Sequence, residues 1–130
     1  MIEPGRAQLL IDAATASRKN AVSKRSGFSV GAAIEAEDGT IYGGCNVENS
    51  TYGLTVCAER VAIWKALSEG VRRFRAVAVV TGADEPTPPC GACRQILWEF
   101  AGDVPVVSAT AGGKRKFYRM SDLLPEPFEF

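Results

Sequence analysis

Two short clusters carry most of the chemistry this chain can do: Cys57-Ala58-Glu59 and Pro89-Cys90-Gly91-Ala92-Cys93. The chain has no histidine, so a Ser-His-Asp triad, a Cys-His pair and an imidazole-ligated metal are all excluded. Three thiolates from these clusters would fill three tetrahedral positions of a zinc ion and leave one open, the pattern of a catalytic site. Zinc(II) with three thiolates carries a net charge of −1, which weakens its pull on bound water. Arg60 is placed to offset that charge by donating to sulfur. Glu59, two residues past Cys57, would reach the open position without being a ligand and carry a proton between water and substrate.

Other chemistries compete with this one. A lone Cys-x-x-Cys also suits a redox pair or half of a zinc knuckle, and four cysteines could form two disulfides. Cys45 could complete a structural four-cysteine site, but its place in an alternating strand pattern favours a small buried apolar residue. The N-terminus lacks a secretory pattern and no apolar run is long enough to span a bilayer, so a reducing cytoplasm with no membrane contact is expected.

Each cluster needs an element to aim it. The pattern from Pro4-Gly5 predicts a helix with Leu9, Leu10, Ala13, Ala14 and Ala21 on one face. Phe28, Val30, Ala32, Ile34 and Ala36 alternate as in a half-buried strand, and Asp38-Gly39 turns the chain into a returning strand over 40–46. Helices are expected over 57–69, stopped by Gly70, and over about 91–101, stopped by Gly102. The apolar run 74–81 reads as a strand covered on both faces, and 104–108 as another. A fifth strand near Phe117 and Tyr118, paired across Gly112-Gly113, and a helical turn from Ser121 complete the order. This is an α/β fold: three layers, α/β/α, around a mixed five-stranded sheet in a single domain spanning 1–130. Both cysteine clusters then open helices, where unpaired N–H groups and the helix dipole favour thiolate, on one edge of the sheet.

The 130 residues balance fifteen basic against fifteen acidic side chains and are 46% hydrophobic. With no net charge and no interleaved aromatic platform, the basic runs at Arg72, Arg73 and Arg75 and at Lys114, Arg115 and Lys116 read as solvated faces, and nucleic acid is not an expected partner.

Residues 29–66 (SVGAAIEAEDGTIYGGCNVENSTYGLTVCAERVAIWKA) and 89–100 (PCGACRQILWEF) resemble the small homotetrameric cytidine deaminases, and the likeness extends from the first helix to Phe128. The resemblance implies a cytidine deaminase of pyrimidine salvage that converts cytidine and 2′-deoxycytidine to the uracil nucleosides and ammonia. Cys57, Cys90 and Cys93 would hold one zinc per chain, and water activated there would attack C4. Glu59 would protonate N3 and help ammonia leave. Asn46 and Glu48, in N-V-E-N, match positions that bind the sugar hydroxyls, Phe28 matches the aromatic packed on the base, and the Ala58 N–H would face the base carbonyl. Tyr52 and Phe128 match positions that reach a neighbouring subunit's site, implying a homotetramer. The family's Tyr-x-Pro-Tyr-Ser stretch is replaced here by residues 21–27 (AVSKRSG), where Lys24 or Arg25 would favour an anionic or modified cytosine nucleoside such as a cytosine-containing antibiotic. That is the alternative substrate class, and a structural four-cysteine module is the alternative function.

Overall fold

The computed structural model describes residues 2–129. In chain order it contains α1 (Pro4–Arg18), β1 (Val30–Ala36), β2 (Ile41–Cys45), a 3-10 turn (Tyr52–Leu54), α2 (Ala58–Ser68), β3 (Phe74–Thr81), α3 (Gly91–Ala101), β4 (Pro105–Thr110), β5 (Arg115–Arg119) and α4 (Met120–Leu123). The strands form one sheet in the order β2-β1-β3-β4-β5. β1 runs antiparallel to both β2 and β3, while β3 and β4 are parallel and β5 returns antiparallel. Strands β2, β3 and β4 therefore point the same way. Because α2 follows β2 and α3 follows β3, both helices begin over the same edge of the sheet, as the sequence led us to expect.

The two faces of the sheet bury different cores. Alternate residues Ile34, Val77, Val79 and Val106 meet α2 and α3 through Ile63 and Leu97. The intervening Ala33, Ala78, Val80 and Val107 meet α1 through Leu10 and Ala14. Helices on both faces make the three layers α/β/α.

Three local expectations are corrected. The strand read as half-buried is the second of five, so β1 is covered on both faces from Gly31 to Ala36. Its one charged residue, Glu35, is only 3% exposed and pairs with Arg6 reaching over from α1. Leu9, placed on the buried face of the first helix, is 48% exposed, and Ala7 and Ile11 are buried instead. Ala21 lies beyond the end of α1, in a segment whose Val22 forms an isolated bridge with Val47.

Small residues let the helices descend onto the strands. A Cβ at Gly44 would lie 2.5 Å from the Ala62 nitrogen and 2.6 Å from the Ala58 carbonyl oxygen, so only glycine allows the first turn of α2 to sit on β2. The β1–β2 hairpin closes as its Asp-Gly signal requires: Gly39 has φ +93° and the Thr40 N–H donates to the Asp38 carboxylate at 2.9 Å. No helix among the described residues is long and apolar enough to cross a membrane.

Candidate metal centre and substrate cavity

Cys57 and Cys90 are the N-cap residues of α2 and α3, each with extended backbone (ψ 153° and 166°), and Cys93 is the third residue of α3. The Cys57 carbonyl accepts from the Arg60 and Val61 N–H groups, and the Cys90 carbonyl from Arg94, so both sulfurs leave backbone that the helices hold rigid. The three Sγ atoms lie within 4.8 Å of one another. Three sulfurs on one tetrahedral zinc would be about 3.8 Å apart, given Zn–S bonds near 2.3 Å. Soft donors converging at that spacing, two of them at the positive ends of helices, fit zinc. Cys45 is not among the converging sulfurs, so the four-cysteine alternative has no fourth ligand from that residue.

Arg60 turns back along α2 and donates through Nη2 to Cys57 Sγ at 3.1 Å. The Cys57 thiol is drawn down to about 5, chiefly by a hydrogen bond from Cys93, with Arg60 adding its own bond and its charge against the cost of burial. Cys93 moves the opposite way: it donates to Cys57 and is buried, and both effects keep its proton on. A thiol cluster that already concentrates negative charge on one sulfur is suited to exchange its remaining protons for a divalent cation.

Glu59 is the second residue of α2 and only 6% exposed. Burial pushes its carboxyl up to about 7, opposed by its own backbone N–H and reinforced by the negative charge on Cys57. It lines a cavity of about 300 Å³ that also contains Cys57, Cys90, Ala58, Asn46 and Glu48. Phe28, Val30, Val79 and Pro88 supply apolar walls. Ala58, as the first residue of its helix, carries an N–H with no intrahelical acceptor.

The sugar-binding candidates are held from one side. β1 begins at Val30, so Phe28, expected within that strand, lies just ahead of it. The Asn46 amide accepts from the Val30 N–H at 2.9 Å and donates to the Phe28 carbonyl at 2.8 Å, fastening the segment that leads into β1 as well as facing the cavity. Glu48 accepts from the Arg25 N–H at 3.1 Å, from the Ser26 N–H at 3.0 Å and from the Ser26 hydroxyl. Neither Lys24 nor Arg25 lines the cavity; the Arg25 guanidinium donates to Ser50 Oγ at 2.9 Å and lies 5.6 Å from the centre of the Tyr52 ring. The expectation that Lys24 or Arg25 favours an anionic or modified substrate finds no support in the lining of this chain's cavity.

Tyr52 and Phe128 stand apart. They are 75% and 68% exposed, and neither lines this chain's cavity. The Phe128 backbone is bracketed by Gln95, whose Nε2 donates to its carbonyl at 2.8 Å and whose Oε1 accepts from its N–H at 3.1 Å. Gln95 and the neighbouring Arg94 escaped attention in the sequence, although both follow directly on the Cys-x-x-Cys. Ser26 carries no sequence signal beyond a hydroxyl two residues ahead of Phe28, from whose N–H it accepts at 3.0 Å.

Residues 5–109 match the family described as the cytidine and deoxycytidylate deaminase zinc-binding region. A cytidine deaminase of Sporosarcina psychrophila is 49% identical over 120 residues, covering 92% of this chain and 88% of that protein. One from Halalkalibacterium halodurans is 45% identical over 122 residues, covering 93% and 92%. The crystal structure of cytidine deaminase from Burkholderia pseudomallei superposes with a TM-score of 0.90 at 44% identity, covering 93% of this chain and 98% of that one.

Proposed function

Since the chain belongs to the cytidine and deoxycytidylate deaminase zinc-binding family, we propose that it hydrolyses the 4-amino group of cytidine and 2′-deoxycytidine, releasing ammonia and the uracil nucleoside. The observation that carries this reading is the placement of a buried carboxyl, Glu59, in the same nucleoside-sized cavity as Cys57 and Cys90, with Cys93 beside them. Cys57, Cys90 and Cys93 would hold zinc, which when bound supplies a Lewis-acid position where water loses a proton near neutral pH.

The protein's own groups handle the protons. Glu59 takes the proton that water gives up as its oxygen adds to C4, and passes it to N3 of the ring. It then takes the second proton from that oxygen and delivers it to the 4-amino group, so that ammonia leaves and a carbonyl remains at C4. A carboxyl held near 7 is matched to giving and taking protons at neutral pH. The Ala58 N–H offers a donor for the ring carbonyl, Phe28 packs on the base, and Asn46 and Glu48 take the sugar hydroxyls, since both can accept from O–H.

The active unit in this reading is a homotetramer. Tyr52 and Leu54 expose 75% and 66% of their surfaces, and a neighbouring chain's Tyr52 and Phe128 would close the site. The domain spans 1–130, the setting is pyrimidine salvage, and a reducing cytoplasm suits free thiols this close together. The test is an ultraviolet assay of cytidine, deoxycytidine, cytosine and dCMP side by side, with and without a chelator. Turnover of the two nucleosides, abolished by metal removal and restored by zinc, is the expected result; turnover of dCMP or cytosine alone would overturn the substrate assignment.

A further inference from the structure

Ser26 lines the cavity and makes three hydrogen bonds at its rim. Its hydroxyl oxygen accepts from the Phe28 N–H at 3.0 Å and its proton goes to Glu48 Oε2. Its own N–H donates to Glu48 Oε1 at 3.0 Å, next to a second donor, the Arg25 N–H, at 3.1 Å. A carboxylate gripped on both oxygens cannot rotate freely, and each bond to the charged group is stronger than one between neutral partners.

Gly27 completes the turn: its N–H donates to the Ser23 carbonyl at 2.7 Å, and its φ of +69° turns the chain away from Ser26 toward Phe28. Arg25 braces the turn from outside, through Ser50 and the Tyr52 ring. One hydroxyl thus links the backbone of the aromatic that packs on the base to the carboxylate that meets the sugar.

Resting on the nucleoside reading above, we propose that Ser26 is a positioning residue that fixes the Glu48 carboxylate for the 3′-hydroxyl and so sets the preference for substrates that carry one. The Ser26 bond with the Phe28 N–H serves every nucleoside alike, whereas its grip on Glu48 serves only one that carries a 3′-hydroxyl. A general packing role for Ser26 would affect all substrates equally.

The experiment compares 2′-deoxycytidine with 2′,3′-dideoxycytidine on the zinc-loaded full chain, for the parent, Ser26→Ala and Ser26→Thr. Losing a hydrogen bond to a charged group should cost Ser26→Ala about ten-fold more in kcat/KM for deoxycytidine than for dideoxycytidine, mostly through KM. Ser26→Thr, which keeps the hydroxyl, should restore the preference. Equal losses on both substrates, or no loss on deoxycytidine, would overturn the role of Ser26 while leaving the deaminase reading intact. A parent enzyme inert toward cytidine and deoxycytidine would overturn that reading and this one with it.

Discussion

Arg60 Nη2 lies 3.1 Å from Cys57 Sγ, and the two residues are one turn apart at the start of α2. The helix that presents a sulfur therefore also delivers the cation that neutralises it. Three thiolates around zinc(II) carry an excess negative charge that would oppose ionisation of water, and a guanidinium on one sulfur draws that charge away. Arg60→Gln should retain the fold but lower zinc affinity or turnover about 10- to 100-fold, read by zinc titration and steady-state kinetics. A glutamine variant with parental turnover would show that the thiolate charge needs no offset.

Glu59→Gln should keep metal and fold while losing roughly 10²- to 10⁴-fold in kcat, the scale of a removed general acid–base. The amide preserves shape and burial but cannot carry a proton. Metal content, circular dichroism and turnover measured on one preparation separate a lost proton carrier from a lost site.

The ligand set has its own check. Cys90→Ala should release zinc and activity together, because Cys90 caps α3 and is one of the three converging sulfurs. Cys45→Ala should retain one zinc per chain, because Cys45 does not join them. Metal analysis of the two variants decides between a three-sulfur and a four-sulfur site.

Element order and the zinc-site candidates were legible because their signals are local: a hairpin dipeptide, an apolar run, cysteines at helix starts. Burial of β1 was not, since whether an alternating strand lies at an edge or inside depends on strand order, which the β3 pairing decides across roughly forty to fifty residues of chain. Arg6 and Glu35 illustrate the same limit: separately they read as surface charges, and only the packing of α1 on the sheet joins them. The rim was half legible. Asn46 and Glu48 could be picked out by type, but they are held by backbone groups, of Val30 and Phe28 for Asn46 and of Arg25 and Ser26 for Glu48, that no side-chain pattern reveals.

The grip on Glu48 has a pH signature. The Ser26 hydroxyl, then the Ser26 and Arg25 N–H groups, hold its carboxyl below the usual 4.5. A depressed native value means that the stabilisation is present above the unfolded value and is lost as pH falls through the native one. Carbon-13 NMR of the Glu48 carboxyl should therefore show a midpoint below 4.5 in the parent, shifted upward in Ser26→Ala. An unchanged midpoint would mean that the hydroxyl adds nothing to the two backbone donors.

Arg94 and Gln95 adjoin Cys93 but divide their work. Arg94 donates through Nε to the Pro89 carbonyl at 2.7 Å and through Nη1 to the Leu123 carbonyl at 2.8 Å, bracing the residue before Cys90 as well as the end of α4. Among the described residues the Gln95 side chain bonds the Phe128 backbone, through two exposed hydrogen bonds that together contribute about 1 kcal/mol. Gln95→Ala should speed hydrogen exchange in the C-terminal peptide without changing zinc content, and in the proposed tetramer it should raise KM by misplacing Phe128. Arg94→Ala should loosen the same tail and also weaken zinc retention, because the Pro89 carbonyl it anchors immediately precedes a ligand. If both variants lost zinc equally, the tail itself would be holding the metal loop, and Gln95 would serve the centre as directly as Arg94 does.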